Sequence, residues 1–326
     1  MKRARIIGVG AYVPERVLTN PELERMVETS DAWIVQRTGI RERHIAHESE
    51  AASDLAFHAA RRALARAEIG PEEIDLIVVG TTTGDMAVPT TANLLQHRLG
   101  CRNVGSLDLH AACAASLYSL SVGAQYIETG KCRTVLCVGS EVLSRVTDYT
   151  DRSTCILLAD GAGAAVLRAS EDGSGLLDID LYSDGRYGDL LILPAGGSRH
   201  PASHETVDRR LHSIKMKGNE VFKAAVRLFG ECAERILARH GFTSADLDLF
   251  VPHQANLRII EAAAARVGLS MEKVVVNVDR YGNTGAASVY IALEEAFARE
   301  RLRRGDLVLL AAFGGGFAWG AGLMRW

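Results

Sequence analysis

A cysteine set among small residues is the first position in this sequence able to do chemistry. Residues 107–122 read LDLHAACAASLYSLSV: a short apolar run ends in alanines, Cys113 follows, and a helix-compatible stretch continues to about Thr129. The thiol then sits at a helix N-terminus, where the dipole favours a thiolate by up to ~2 kcal/mol, or about one and a half pKa units from ~8.5. Burial in an apolar tunnel works the other way. A free cysteine is ordinarily a small core residue, so Cys113 alone leaves core filler and nucleophile both open. Two further side chains enter the question: His253 in PHQAN (252–256) and Asn283 in GNTG (282–285). His200 and His204 are four apart, but Pro201 lies between them and there is no HExxH, so no metal site is expected there.

The elements that would position these groups read as alternating strands and helices. Residues 5–13 form a buried strand stopped by Pro14. Asn20 as N-cap and Pro21 in the first turn open a short helix to Val27, and Ser30-Asp31 cap a second one, which carries Trp33 and Arg37 and closes at Gly39. Residues 52–67 give an amphipathic helix with Leu55, Ala59, Ala63 and Leu64 on one stripe. Buried strands follow at 74–79, 134–139 and 161–167, with a helix at 91–99. The polar run 169–175 reads as a linker, 185–213 as an expanded polar segment, and 218–239 as a long helix with Val221, Ala225, Leu228 and Ile236 inward.

The second half echoes the first. EIDLIV (73–78) matches DLDLFV (246–251) at an offset of 173, and AASLY (114–118) matches AASVY (286–290) at 172; TVLCVG (134–139) is echoed by LVLLAA (307–312). Two near-register repeats predict duplicated halves, 1–172 and 173–326, about a pseudo-twofold axis, in an α/β fold with mostly parallel mixed sheets. Cys113 corresponds to Gly285, two residues after Asn283, and the strand matching 74–79 ends at His253. The symmetry therefore brings Cys113, His253 and Asn283 to one region, which core packing explains poorly.

Composition narrows the class. With 326 residues, 48% hydrophobic and 24% charged, the chain has material for a large core and is far from disorder. A net charge of −3 gives no global attraction to nucleic acid. The six cysteines form no CxxC pair and read as reduced thiols. The N-terminus lacks a signal-peptide core and no stretch approaches the ~20 apolar residues of a membrane span, so a cytoplasmic location with no membrane partner is expected.

Taken together the motifs resemble those of the β-ketoacyl-acyl-carrier-protein synthase III family, thiolase-like condensing enzymes with layered α-β-α-β-α architecture. The resemblance spans the chain: TNPELE (19–24), TSDAW (29–33), RTGIRERH (37–44), AACA (111–114), DRST (151–154), DGAG (160–163), GNEVF (218–222), PHQAN, GNTG and FGGG (313–316). It implies that Cys113 takes an acyl group from acyl-coenzyme A, and that malonyl-acyl carrier protein then loses carbon dioxide and attacks the acyl-cysteine. His253 and Asn283 would donate hydrogen bonds to the malonyl thioester oxygen as it becomes an enolate. The N–H groups of Cys113 and Gly315 would form the oxyanion hole of the acyl intermediate. The resemblance also implies coenzyme A contacts at Thr29, Trp33, Arg37, Arg152, Asn219 and Ala255, with Trp33 and Arg152 sandwiching the adenine. Lys223 and Arg258 would receive the acidic carrier, Val88, Leu143 and Leu158 would shape the acyl pocket, and the assembly would be a homodimer. No cofactor is implied, acyl-coenzyme A being a substrate.

Where family members favouring acetyl primers often carry phenylalanine, this chain has Val88 and Leu158, which suggests longer or branched primers. Ala115-Ser116 replaces a glycine–bulky pair. A specialised condensing enzyme or acyltransferase of secondary metabolism is a second reading of the same motifs. A cysteine hydrolase is a third, since His253 lies 140 residues after Cys113 as in papain-like enzymes, though their local cysteine signature is missing.

Overall fold

The computed structural model describes residues 2–326. In chain order the strands are β1 (Arg3–Tyr12), β2 (Arg16–Thr19), β3 (Glu42–Ile45), β4 (Leu76–Gly80), β5 (Gly105–Leu109), β6 (Thr134–Val142), β7 (Asp160–Ser170), β8 (Gly175–Ser183), β9 (Leu191–Ile192), β10 (Lys215–Met216), β11 (Leu249–Pro252), β12 (Leu307–Gly314) and β13 (Ala318–Arg325). Nine of them build two sheets, ordered β1-β7-β6-β4-β5 and β8-β13-β12-β11. The second sheet repeats the first in order and sense. β7 and β13 run antiparallel to both neighbours, and all other strands of each sheet share one direction. The match to β5 is reduced to a single parallel bridge, Phe250 to Val274.

Five layers follow from where the apolar residues fall. Every residue of β4, β6, β11 and β12 is buried, because helices cover both faces of each sheet, and such strands read as continuous apolar runs. Between the sheets lie helices Ala115–Glu128 and Ser288–Ala298, contributing Leu117, Leu120, Val289 and Leu293 to a core shared with Val78, Val135, Val308 and Leu310. Ser119 Oγ and Tyr290 Oη, 2.7 Å apart, join these two helices, and the Tyr290 hydroxyl also donates to Ser116 O at 3.1 Å. Helices Ala52–Ala67 and Thr91–Leu99 cover the outer face of the first sheet, with Leu55, Ala59, Ala63 and Leu64 buried as the stripe predicts. Helices Gly218–Arg239 and Leu257–Val267 cover the second.

The run 169–175, read as a linker, joins β7 to β8 as an ordered turn. Asp172 accepts from Ser170 Oγ and from the N–H and Oγ of Ser174, and it pairs with Arg5 and Arg304. Asn20 is not the cap of the first helix. Thr19 takes that place, its N–H and Oγ both donating to Glu22 at 2.8 Å, and the helix ends at Leu23. Asn20 is fully buried instead, donating to Asp31 and to Ile40 O while accepting from Arg43. Among the described residues, no helix is long and apolar enough to cross a membrane.

Candidate active site

Cys113 stands in the middle of a single 3-10 turn, Ala112–Ala114, that feeds helix Ala115–Glu128. The residue before it, Ala112, has φ +46°. That left-handed conformation is strained for a side chain, and strain of this kind gathers where a functional group must be aimed. The end of β12 presses on the turn from the other side. A Cβ on Gly314 would lie 2.5 Å from Cys113 N, so only glycine lets the two backbones approach.

Asn283 comes from the equivalent place in the second repeat, just ahead of the 3-10 turn Gly285–Ala287 that feeds helix Ser288–Ala298. Its Oδ1 accepts from Gly285 N–H at 2.9 Å, which fixes the amide and leaves Nδ2 as the free donor. Gly285 has φ +54°, and a Cβ there would also meet the Glu141 side chain at 2.9 Å. Its backbone is held in place from β7's side: Asn283 N–H donates to Leu157 O and Ala159 N–H donates to Asn283 O, both at 2.9 Å.

Cys113, Asn283, Gly285 and Gly315 line one cavity of about 210 Å³. Leu143, Val146, Leu157 and Leu158 line it as well. Leu191, Ile192 and Leu193, with Ile214 and Met216, complete the apolar lining. The expanded segment thus supplies three of the nine large apolar side chains of the lining. The run LLIL at 190–193, inside an otherwise polar stretch, is the signal that could have found it. Val88 does not line the cavity of its own chain; it is 84% exposed on the loop between β4 and helix Thr91–Leu99.

His253 follows β11 and is 2% exposed. Its N–H donates to Ala311 O of β12 at 2.8 Å, and its Nδ1 lies 2.5 Å from Ser288 Oγ, five residues after Asn283. β12 and the Asn283 turn are therefore shared neighbours of His253 and Cys113, although His253 is not part of the cavity lining. Burial, with no charge beside it, lowers the imidazole pKa to about 3, so the ring is neutral.

The balance at the thiol is settled by burial. The sulfur can be reached from the cavity but has protein on every side, and its pKa rises to about 12, through desolvation first and the Glu141 carboxylate second. The helix N-terminus does not overcome this, and Cys113 rests as the thiol.

Glu141, in the cavity wall, was missed by sequence reasoning. It is 1% exposed near the end of β6 and accepts from Thr82 N–H, the hydroxyls of Thr82 and Thr83, and Ala286 N–H. Desolvation lifts it to about 7 against the pull of those bonds. Its carboxylate ties the loop after β4 to the Asn283 turn. The only sequence signal is a charge inside the otherwise buried run VLCVGSEVL.

The remaining residues lie outside the cavity lining. Arg152 and Arg37 flank the Trp33 ring, their Cζ atoms 4.9 and 5.7 Å from its centroid, and Arg152 also donates to Glu28 O. Thr29 Oγ1 is buried with no hydrogen-bond partner among the described residues. Asn256 Nδ2 donates to Arg37 O at 3.1 Å, joining the Trp33 helix to the segment that carries His253 and the half-buried Ala255. Asn219, Lys223 and Arg258 are exposed on the paired outer helices, Arg258 stacking on Phe222 at 5.3 Å.

Duplicated sheets, two helices between them, and a cysteine and an asparagine at equivalent helix entrances define an α/β protein of the thiolase-like class. The models of 3-oxoacyl-[acyl-carrier-protein] synthase III match residues 107–185 and, for its C-terminal part, 237–326. The chain is 51% identical over 321 residues to the β-ketoacyl-[acyl-carrier-protein] synthase III of Desulfitobacterium hafniense strain Y51, covering 98% of this chain and 97% of that one. The crystal structure of 3-oxoacyl-[acyl-carrier-protein] synthase III from Aquifex aeolicus VF5 superposes with a TM-score of 0.92 at 44% identity, over 99% of this chain and 100% of that one. The priming β-ketosynthase of the R1128 polyketide pathway matches at TM-score 0.91 and 36% identity, over 99% and 96%. The chain belongs to the β-ketoacyl-acyl-carrier-protein synthase III family.

Proposed function

We propose that Cys113, His253 and Asn283 carry out the family's reaction, the initiating condensation of an acyl-coenzyme A with malonyl-acyl carrier protein in fatty acid synthesis. The observation that carries this assignment is that Cys113 and Asn283, from equivalent turns of the two repeats, open onto one apolar cavity. The Cys113 sulfur bonds to the acyl carbon, and the bond to coenzyme A sulfur breaks. The proton lost by Cys113 ends on the coenzyme A thiol, so the balance needs no separate base. The N–H groups of Cys113 and Gly315 face the oxyanion. Malonyl-carrier then loses carbon dioxide, and the electron pair moves into a thioester enolate whose oxygen is held by His253 Nε2–H and Asn283 Nδ2–H. The enolate carbon bonds to the acyl carbon and the carbon–sulfur bond to Cys113 breaks, releasing the cysteine thiolate, which takes up one proton from solvent to return to the resting thiol. No redox step occurs, and the reaction needs no cofactor.

To test it, the protein is incubated with a panel of acyl-coenzyme A esters, the mass increase is mapped by peptide, and malonyl-acyl carrier protein is then added. Acylation at Cys113 followed by β-ketoacyl-carrier formation is expected; no acylation at Cys113 with any ester would sink the proposal. The likeness to the R1128 ketosynthase supports a second reading, a specialised condensing enzyme of secondary metabolism, for which product would form with an acceptor other than malonyl-carrier. The cysteine-hydrolase reading is set aside on the fold.

Primers longer than acetyl fit the cavity. An apolar cavity of ~150 Å³ already takes up benzene, and this one is about 210 Å³. Leu158→Phe is expected to lower kcat/KM for four- to six-carbon primers about 10- to 100-fold while sparing acetyl-coenzyme A. An absolute acetyl preference in the unaltered enzyme would end this reading.

For coenzyme A, a base stacked between Trp33 and Arg152 requires about 7 Å, twice a ~3.5 Å contact, against the 4.9 Å found. The exposed Arg152 must swing outward from Glu28 O, while Thr29 Oγ1 offers an unpaired hydroxyl beside it. Arg152→Ala is expected to raise KM for acyl-coenzyme A roughly 3- to 10-fold with kcat little changed. An unchanged KM would remove Arg152 from the site.

Asn219 and Ala255 line the proposed pantetheine path, and Lys223 and Arg258 receive the carrier. The two halves are 1–172 and 173–326. The open edge of β5 and the exposed Met86 and Val88 support a homodimer, with Val88 reaching the partner's pocket. The location is cytoplasmic.

A further inference from the structure

A neutral imidazole carries one ring proton, so which nitrogen holds it decides whether His253 can donate at all. The surroundings of Ser288 answer this. Ser288 is 1% exposed at the start of its helix, and its Oγ has two partners among the described residues: His253 Nδ1 at 2.5 Å and Gln254 N–H, which donates to it at 3.4 Å.

Two proton arrangements are available. In one, the Ser288 hydroxyl donates to Nδ1 and accepts from Gln254 N–H, and the ring proton sits on Nε2; every polar group near Ser288 is then paired. In the other, Nδ1–H donates to an oxygen that already accepts from Gln254, and the hydroxyl proton finds no acceptor among the described residues. A buried donor left unpaired is disfavoured, so the first arrangement holds.

The framework keeps it so. Gln254 Oε1 accepts from Asn277 N–H and Val278 N–H, and its Nε2 donates to Pro252 O and Val275 O. With its side chain pinned at four points and His253 N–H bound to Ala311 O, the Gln254 N–H stays aimed at Ser288.

We propose that Ser288 is a positioning residue for the condensation: its hydroxyl donates to His253 Nδ1, holds the ring proton on Nε2, and so makes the neutral imidazole a donor to the enolate oxygen. This rests on the reading of His253 as such a donor. No proton is transferred, and the hydroxyl only selects the tautomer.

The test measures two half-reactions in Ser288→Ala, Ser288→Thr and His253→Ala: acylation of Cys113 by acyl-coenzyme A, and carbon dioxide release from malonyl-acyl carrier protein. Ser288→Ala is expected to slow decarboxylation roughly 10- to 100-fold and leave acylation within about threefold, with Ser288→Thr restoring most of the loss. Equal loss in both half-reactions would mark a structural role and overturn the proposal. So would wild-type decarboxylation in Ser288→Ala alongside its loss in His253→Ala. Undiminished decarboxylation in His253→Ala would instead sink the underlying reading of His253. Nitrogen NMR of histidine-labelled wild-type enzyme reads the tautomer without any substitution; a proton found on Nδ1 would also overturn the proposal.

Discussion

Cys113→Ala is expected to abolish acyl transfer from coenzyme A and to lower overall condensation by at least ~10⁴-fold, because no other group can form the covalent intermediate. Carbon dioxide release from malonyl-carrier should survive, since His253 and Asn283 are untouched, so the variant separates the two half-reactions. The unaltered thiol adds a pH test. Its pKa is pushed up to about 12 by burial and by the neighbouring Glu141 carboxylate, so the thiolate fraction grows about tenfold per pH unit through the neutral and mildly alkaline range. Alkylation of Cys113 by iodoacetamide is expected to follow that slope. A rate already level at neutral pH would show a preformed thiolate and reverse the ranking of burial over the helix N-terminus.

That ranking is where sequence reasoning stops, because the dipole can be read from a helix start but the enclosure cannot. The architecture is more legible. Offsets of 172 and 173 at two motifs placed β4 against β11 and helix Ala115–Glu128 against Ser288–Ala298, and a buried strand must keep its apolar pattern through duplication. β1 and β8 are equivalent by position in their sheets, yet RARIIGVGAY and GLLDIDLYS share no readable pattern. Outer strands answer to different neighbours. The cavity wall at 191–193 was illegible for another reason. Its place depends on the paired backbone of Asp184 and Phe317, 133 residues apart, which brings the expanded segment beside the FGGG turn. Glu141 hid in a buried strand, since only the converging donors of Thr82, Thr83 and Ala286 show why a carboxylate stands there. Trp33 beside Arg152 was reached through family resemblance alone.

The sharpest test of the electrophilic half of the site is Asn283→Asp. The exchange preserves size and keeps the acceptor for Gly285 N–H, but it replaces the free Nδ2 donor with an oxygen that carries negative charge. Loss of a single oxyanion donor costs about 10²- to 10³-fold. A like charge facing the developing enolate costs more, so decarboxylation is expected to fall at least ~10³-fold in Asn283→Asp and less in Asn283→Ala. Acylation of Cys113 should fall only a few-fold in the aspartate variant, through the added charge near the thiol. The order of the two variants is decisive. A purely structural role for Asn283 predicts that alanine, which loses the Gly285 bond, is worse than aspartate, which keeps it. If aspartate proves the milder change, Asn283 does not face the charge that forms. Combining Asn283→Ala with His253→Ala carries the argument one step further. Two donors to one oxygen act as a unit, so the double variant should lose less than the product of the single losses, whereas independent roles would multiply.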